Sequence, residues 1–539
     1  MKRFLLGNEA IALGAIQAGI SVASGCPGTP STEILGAIKK ELHGKQASCH
    51  VEWAVNEKIA LEMAAGAALT GKRALVVMSQ AGLNPASETL ISLTRAGITG
   101  GLVVVASDDV DPYSFRTILD TRQFAQYAKL PVYDPSTTEE AFLMAADAFA
   151  YSEKSGRPVL LRPTARICNS YASIDLEKME MTLAKLKETY SFYKGNSLVV
   201  TPDAPGQKGK DSLQNFLGIA AGGISYSYIM DILKPLPPRL KLLKAGIYPF
   251  PDDLALSFLD GLDEVMVLEE LDPVLEDKLL RLCGDKHLHA EVRGKRTRDM
   301  PRLGEYTPDL IAEHVETFLE RKVWVTISDL PEFSAETVSS LSVPAAAVND
   351  FGTQFEVLPK PPRLPSRSPM LCASCPRREI FLAVKEAIHK FGKDRKVSLS
   401  GNLNCPVLGY NQSPEKMDAS LCAGSGIALA QGLGLVEQGN LYFAFMGDAA
   451  FFQSGINALV NAAYRDSDIV VVILDSSVSP VKKMDIGGIA AAMGITEIAR
   501  ANPHDTGQAE AVLAAAMEKT GIRIVIFESP CSAAEGSIL

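Results

Sequence analysis

GDAAFFQSGINALVNAAYRDSDIVVVILDSSVS, residues 447–479, decides the reading of this chain. It follows an apolar segment, Leu441–Met446 (LYFAFM), that reads as a buried strand. A helical pattern over Gly455–Tyr464 leads into a second apolar strand, Ile469–Leu474. The result is a strand–helix–strand unit with polar residues just beyond each strand. In open parallel sheets, ligands bind outside the carboxyl ends of the strands. Asp448 follows the first strand; Asp475, Ser476 and Ser477 follow the second. Asp448 and Ser476, 28 residues apart, are therefore expected to converge at one sheet edge. A carboxylate beside a hydroxyl suits Mg²⁺, which completes its octahedron with phosphate oxygens and water. A plain turn after a strand would also place Gly-Asp here.

The 539 residues, 47% hydrophobic and 22% charged, suffice for roughly three or four domains with ample core. A net charge of −10 argues against nucleic acid or an anionic membrane surface as the main partner. The opening MKRFLLGNEAIALGAIQAGI lacks the layout of a signal peptide and reads as a short strand followed by a helix. No apolar run is long enough to span a membrane. Nine scattered cysteines without a framework spacing fit a reducing, cytoplasmic location.

Residues 1–185 alternate strand-like and helical segments, a doubly wound α/β pattern. The strand at Val22–Ser24 runs into CPGTPST, Cys26–Thr32, whose two prolines fix a tight loop. Thr29 lies in that loop, and Ser31 or Thr32 suits the N-cap of the next helix. A small, apolar helix begins at Glu57, and Glu52, Glu57 and Glu62 compete for the role of a functional acid. Polar loops follow two more strands, the second carrying Arg116, Asp120 and Arg122. Arg162 and Arg166 could bind an anion or cover the surface. Residues 190–350 form a second α/β unit with a Gly222–Gly223 turn. Glu269 and Glu270 lie beyond a strand there, where a solvated end is preferred over paired acids. The basic segment Gly294–Pro308 reads as a loop reaching another domain. Residues 351–371, rich in proline, read as a linker. Residues 372–539 form the last α/β domain. It opens with Cys372-x-x-Cys375, a redox pair or half a zinc site, and no second CxxC of zinc spacing follows. Cys422-Ala-Gly-Ser-Gly before a helix offers backbone N–H groups to a diphosphate, through Cys422, Gly424 and Ser425.

The Gly-Asp motif with a polar residue about thirty positions on resembles that of thiamine-diphosphate enzymes. GCPGTPSTEI, EWAVNEKIALEMAAGAA, QAGLNPASETL, LLRPTAR, GISYSY, VLEELDP, PRLGE, CASCPRR and GDAAFFQSGI follow one another as in the α subunit of indolepyruvate ferredoxin oxidoreductase. The resemblance covers nearly the whole chain. It implies several doubly wound parallel-sheet domains of the thiamine-diphosphate enzyme type: pyrimidine-binding (1–185), transketolase-C-like (190–350) and diphosphate-binding (372–539). It implies oxidative decarboxylation of an aryl-pyruvate such as indolepyruvate, a 2-oxoacid, to an acyl-CoA, with electrons passing to ferredoxin. By matched position, Glu57 contacts the cofactor's aminopyrimidine, and Thr29 contacts substrate or cofactor. Gly447, Asp448 and Ala449 bind thiamine diphosphate. Asp448, Ser476 and the Val478 carbonyl ligate Mg²⁺. The implied partners are a γ-type second subunit and ferredoxin or a ferredoxin-like subunit, around a homodimer. The helices near 57–69 and 422–434 are candidates for its interface.

Departures from the family pattern are informative. Asp475-Ser476 stands where Asp-Asn is usual, and Pro480–Lys483 replaces a Met-Thr-Gly region. An acid of the family is replaced by Asn402. The CxxCxxCxxxCP run of the family's ferredoxin domain does not occur, so no iron–sulfur cluster is expected on this chain. Two alternatives remain: a non-oxidative thiamine-diphosphate decarboxylase, and a cofactor-free structural homologue.

Overall fold

The structure is a computed structural model. It describes residues 2–26, 30–44, 49–110, 119–189, 197–200, 216–233, 236–237, 240–320, 375–392, 395–401, 417–437, 439–476 and 484–530. Thr29, Arg116, the 351–371 segment, Cys372, Asn402, Val478 and Lys482–Lys483 lie outside the described residues.

Among the described residues, three large sheets carry the fold. The first has seven strands, in spatial order Ile247–Tyr248, Val132–Tyr133, Val159–Leu161, Leu102–Ser107, Ala74–Ser79, Val22–Gly25 and His50–Trp53. All neighbours are parallel except Ile247–Tyr248, which pairs antiparallel with Val132–Tyr133. That edge strand comes from the middle segment of the chain, so the first sheet extends beyond residues 1–185. The second sheet orders Glu291–Arg293, Glu264–Leu268, Leu217–Gly222, Leu240–Ala245 and Leu198–Val200, the last antiparallel. The third, with six strands, is wholly parallel: Ala419–Ser420, Val397–Gly401, Leu441–Gly447, Ile469–Asp475, Ile522–Glu528 and Glu497–Ala501. A ribbon of Lys2–Leu6 with Tyr171–Asp175 completes the set.

Side-chain alternation explains the layering. Along Leu441–Gly447, Leu441, Phe443 and Phe445 enter one core while Tyr442, Ala444 and Met446 enter another. A strand buried on both faces needs apolar residues at every position, and β-branched ones fit best. Ile469–Asp475 (IVVVILD) meets that demand. Helices then cover both faces, held by local signals. Thr137 accepts a hydrogen bond from Glu140 N at 3.1 Å to start Thr138–Ser155, and Gly156, at φ +63°, ends it.

One helix–helix contact fixes the site. Glu57–Leu69 is apolar nearly all round, the mark of a buried helix. It packs on Gly426–Val436 of the third-sheet domain within the same chain. A Cβ at Gly66 would lie 2.6 Å from the Leu429 carbonyl oxygen. One at Gly432 would lie 2.0 Å from that of Met63. Only glycine at both positions lets the backbones touch. The small-residue pattern expected at a subunit interface is thus used between domains of one chain.

A buried ionic joint holds the first and middle units together. Arg122 meets Asp120 Oδ2 at 2.6 Å and Glu269 Oε2 at 2.7 Å, and donates to the carbonyls of Glu270 and Asp272. Glu269 also accepts from Leu275 N and Glu276 N, neutralising the start of helix Val274–Lys286. Glu269 and Glu270 are therefore buried rather than solvated, because they bond donors across the joint. Arg162 is buried between Asp108, at 2.6 Å, and Asp134, at 3.1 Å, so it does not cover the surface. Arg166 is exposed and pairs with Glu305, linking the Gly294–Pro308 segment to the first unit.

Candidate active site

The carboxyl end of the third sheet carries the expected acid and hydroxyl together. Leu441–Gly447 and Ile469–Asp475 are adjacent parallel strands, so Gly447 lies in register with Leu474. Asp448, one residue past Gly447, and Ser476, two past Leu474, come side by side. The Ser476 hydroxyl donates to Asp448 Oδ1 at 3.0 Å, and both side chains are buried. Asp475 is the last strand residue rather than the first loop residue.

Asp448 also begins a helical run. Asp448–Ala450 is followed by a π-helical turn, Phe451–Gly455, and then by the helix Ile456–Tyr464. Insertions of this π type occur often at functional sites. The free N–H groups and the dipole at the start of a helix attract anions. Ala449, in that first turn, is exposed. The Arg377 guanidinium stands over the same turn, since a Cβ on Gly447 would come within 2.9 Å of its Nη2. Sequence reasoning missed Arg377; its only signal was the basic pair in CASCPRR.

The Cys422–Ser425 loop packs against this turn. Gly424, at φ +76°, has no room for a Cβ: Ser454 Oγ would be 2.2 Å away and Ala450 O 2.9 Å. Ser425 is fully buried, and its hydroxyl closes the loop on itself, accepting from Cys422 N at 3.2 Å and donating to Cys422 O at 2.9 Å. The Cys422 thiol points to the other domain. It lies 3.0 Å from Glu62 Oε1, 3.0 Å from Lys58 Nζ and 3.1 Å from Thr89 Oγ1. Burial and the Glu62 carboxylate push this thiol up to about 12. Lys58 and Glu62 also pair directly.

Of the three competing acids, the structure spends two on other partners. Glu62 is fully buried in the Lys58–Cys422–Thr89 cluster. Glu52 is buried beside His50 and Arg465. Glu57 is half-buried at the first turn of its helix, whose N-cap, Asn56, accepts from Ile59 N at 2.9 Å. It is packed against Gly82, where an added Cβ would meet Glu57 Cγ at 2.7 Å. On its other side is Cys26, whose thiol is pushed up to about 11 by burial and by the Glu57 carboxylate it hydrogen-bonds. Neither Ser31 nor Thr32 caps the following helix; Ser31 donates instead to Met78 O at 3.2 Å.

These residues fit thiamine diphosphate with Mg²⁺. Among the described residues there is no cluster of three metal-ligating side chains. One carboxylate and one hydroxyl suit a metal that brings oxygens of its own, as Mg²⁺ does when bound to a diphosphate. Helix-start N–H groups and Arg377 stand beside that pair. Among the described residues no helix is long and apolar enough to cross a membrane.

Comparison with known proteins agrees with this geometry. Residues 13–216 match the family model described as pyruvate flavodoxin/ferredoxin oxidoreductase, thiamine-diphosphate-binding. Residues 407–479 match the C-terminal binding domain of thiamine pyrophosphate enzymes. The indolepyruvate oxidoreductase subunit IorA of Archaeoglobus fulgidus is 31% identical, over 98% of this chain and 86% of its own length. That of Methanothermobacter thermautotrophicus is 30% identical, over 100% and 88%. The solved thiamine-diphosphate-dependent 4-hydroxybenzoylformate decarboxylase of Rhodococcus jostii superposes with a TM-score of 0.50 at 14% identity, covering 98% of this chain and 100% of that one. It shares the fold. Similar over nearly its whole length to these subunits, and carrying both thiamine-diphosphate-binding domains, the chain belongs to the family of the indolepyruvate oxidoreductase subunit IorA, as an α-type subunit of a thiamine-diphosphate-dependent 2-oxoacid:ferredoxin oxidoreductase.

Proposed function

We propose that this chain catalyses oxidative decarboxylation of an aryl-pyruvate such as indolepyruvate to an acyl-CoA, with electrons leaving through iron–sulfur clusters on another chain. The observation that carries the reading is the Asp448–Ser476 pair at the parallel-sheet edge, in a chain whose Glu57 helix packs on the same domain. The names of the relatives support the aryl-pyruvate.

When bound, thiamine diphosphate supplies the electron sink for decarboxylation. The chain supplies the rest. Asp448 and Ser476 hold Mg²⁺ through hard oxygens, with the Val478 carbonyl as a further proposed ligand. The backbone N–H groups of Asp448 and Ala449, the Gly447 turn, the Cys422–Ser425 loop and Arg377 receive the diphosphate. Glu57 offers its carboxyl to the aminopyrimidine and exchanges a proton there. Gly82 leaves room for that carboxyl, and the Cys26 thiol steadies it. Thr29 is proposed to contact substrate or cofactor. The Lys58–Glu62–Cys422–Thr89 cluster ties the Glu57 helix to the diphosphate loop, so acid and metal site keep one spacing.

The proposed assembly is a cytoplasmic homodimer joined by a γ-type subunit. Its interfaces must use surfaces other than the helix pair Glu57–Leu69 and Gly426–Val436, which is consumed within the chain. Product analysis tests the reading. Indolepyruvate or phenylpyruvate should turn over only when the γ-type subunit, ferredoxin, its cluster-bearing chain and CoA are all present. Aldehyde formed by the chain alone would overturn the oxidative reading, and failure to bind thiamine diphosphate with Mg²⁺ would overturn the cofactor site.

A further inference from the structure

The helical run that follows Asp448 has an outward face without charge. Residues 449–464 contain no Asp, Glu, Lys, Arg or His. Within them Gln453, Asn457, Val460 and Tyr464 are exposed, at spacings of four, three and four residues. Val460 is 39% exposed and Tyr464 74%. Val55 of the first-sheet domain, 42% exposed, adjoins this face, since its N–H donates to Asn461 Oδ1 at 3.3 Å.

Contact with water does not explain that composition. A helix face that stays in solvent normally carries charge, as Thr138–Ser155 does with exposed Glu139 and Lys154. The first charge after the run, Arg465, is spent on its own chain. It pairs with Glu52 at 3.2 Å, donates to Trp53 O at 3.1 Å and lies over the Tyr464 ring. Spacings of four and three are those of a seam on which a second helix packs, its side chains entering the gaps between these.

The absence of charge selects the partner. Across a two-fold axis a helix meets the same helix of its copy. A charged residue near the axis would there meet its own like charge, which is destabilising. Amides, Val and Tyr meet themselves without that cost. A different protein is free of this constraint. Against a chain of net charge −10 it would be drawn by acidic residues, which this face lacks.

We propose that this face is the two-fold interface between two copies of the chain, with helix Ile456–Tyr464 packing on its counterpart and Val55 at the edge of the contact. Tyr is among the side chains that most often anchor such contacts. The second copy would seat against both domains of its partner, on the helical run that Asp448 begins and two residues before Glu57. The inference deepens the homodimer proposed above and rests on it.

Sedimentation velocity of the full chain at micromolar concentration tests it. Wild type should be a dimer. Tyr464→Asp and Val460→Asp should each raise the dissociation constant about 100-fold or more and give monomer, since each sets two carboxylates against one another at the axis. Leu382→Asp, at a position 57% exposed on helix Pro376–Phe391, should stay dimeric. If Tyr464→Asp fails to fold, Val460→Asp decides. A monomeric wild type would overturn both this face and the homodimer. A dimer that survives Tyr464→Asp or Val460→Asp, or that Leu382→Asp dissociates as readily, would overturn the face alone.

Discussion

The Ser476 hydroxyl donates to Asp448 Oδ1 at 3.0 Å, joining two residues 28 positions apart across neighbouring parallel strands. Both are buried, and among the described residues there is no cluster of three metal-ligating side chains. Asp448→Ala should weaken Mg²⁺-dependent thiamine diphosphate binding by about 100-fold, because it removes the charged ligand. Ser476→Ala should cost less, about tenfold, the scale of losing a group that orients a ligand. Titration of the cofactor with and without Mg²⁺ checks both. Stripping the metal with a chelator should reduce wild type to the Asp448→Ala level.

Glu57→Gln should leave cofactor binding nearly intact, since amide and acid have the same shape. The amide cannot relay a proton, so exchange of the cofactor's C2 proton should slow by about 10²-fold or more. Proton exchange followed by NMR measures it. Exchange at the wild-type rate would show that Glu57 is not the acid.

Gly432→Val places carbon where the Met63 carbonyl oxygen stands 2.0 Å from an ideal Cβ. The helices must part, and overpacking of this kind costs about 1–3 kcal/mol or more. Urea unfolding should show it. Because the contact joins two domains, cofactor affinity should fall with stability. A variant as stable as wild type would mean that the two backbones do not meet.

The joint around Glu270 should make stability depend on pH. Burial raises this carboxyl to about 7 from its ordinary 4.5, although Tyr306 N donates to it. The folded state therefore holds a proton that the unfolded chain releases. The resulting stability is full below about pH 4.5, is lost as pH rises to about 7, and is constant above that. Its size is at most about 3 kcal/mol. Unfolding measured at pH 5 and pH 8 should show a smaller difference in Glu270→Gln than in wild type. An unchanged difference would place the titration elsewhere.

Much of the architecture was legible because burial on two faces leaves a plain record in sequence. Leu441–Met446, Ile469–Leu474 and the Glu57–Leu69 helix were read from apolar runs and small residues, and the structure puts strands and a helix there. The Asp448–Ser476 pairing was legible too, since parallel neighbours bring their carboxyl ends to one edge. Charge was read less well. Glu269 and Glu270 resembled solvated residues, and Arg162 either an anion-binding or a surface group. Each is buried because its partner comes from a distant segment: Arg122 for Glu269, 147 residues away, and the Tyr306 N–H for Glu270, 36 residues away.

The sequence alone thus determined the α/β class, the strands at Leu441–Met446 and Ile469–Leu474, the acid at Asp448 and its hydroxyl partner. These follow from periodicity and from a topology rule, both local in sequence. The tertiary structure decided the rest. It set Gly66 against Gly432 within one chain, assigned Glu52 and Glu62 to different partners from Glu57, and borrowed Ile247–Tyr248 for the edge of the first sheet. It also brought Arg377 to the Gly447 turn. The physical reason is the same in every case. A close backbone approach, an ion pair or an edge strand needs two segments at one place, and neither segment's own pattern names the other.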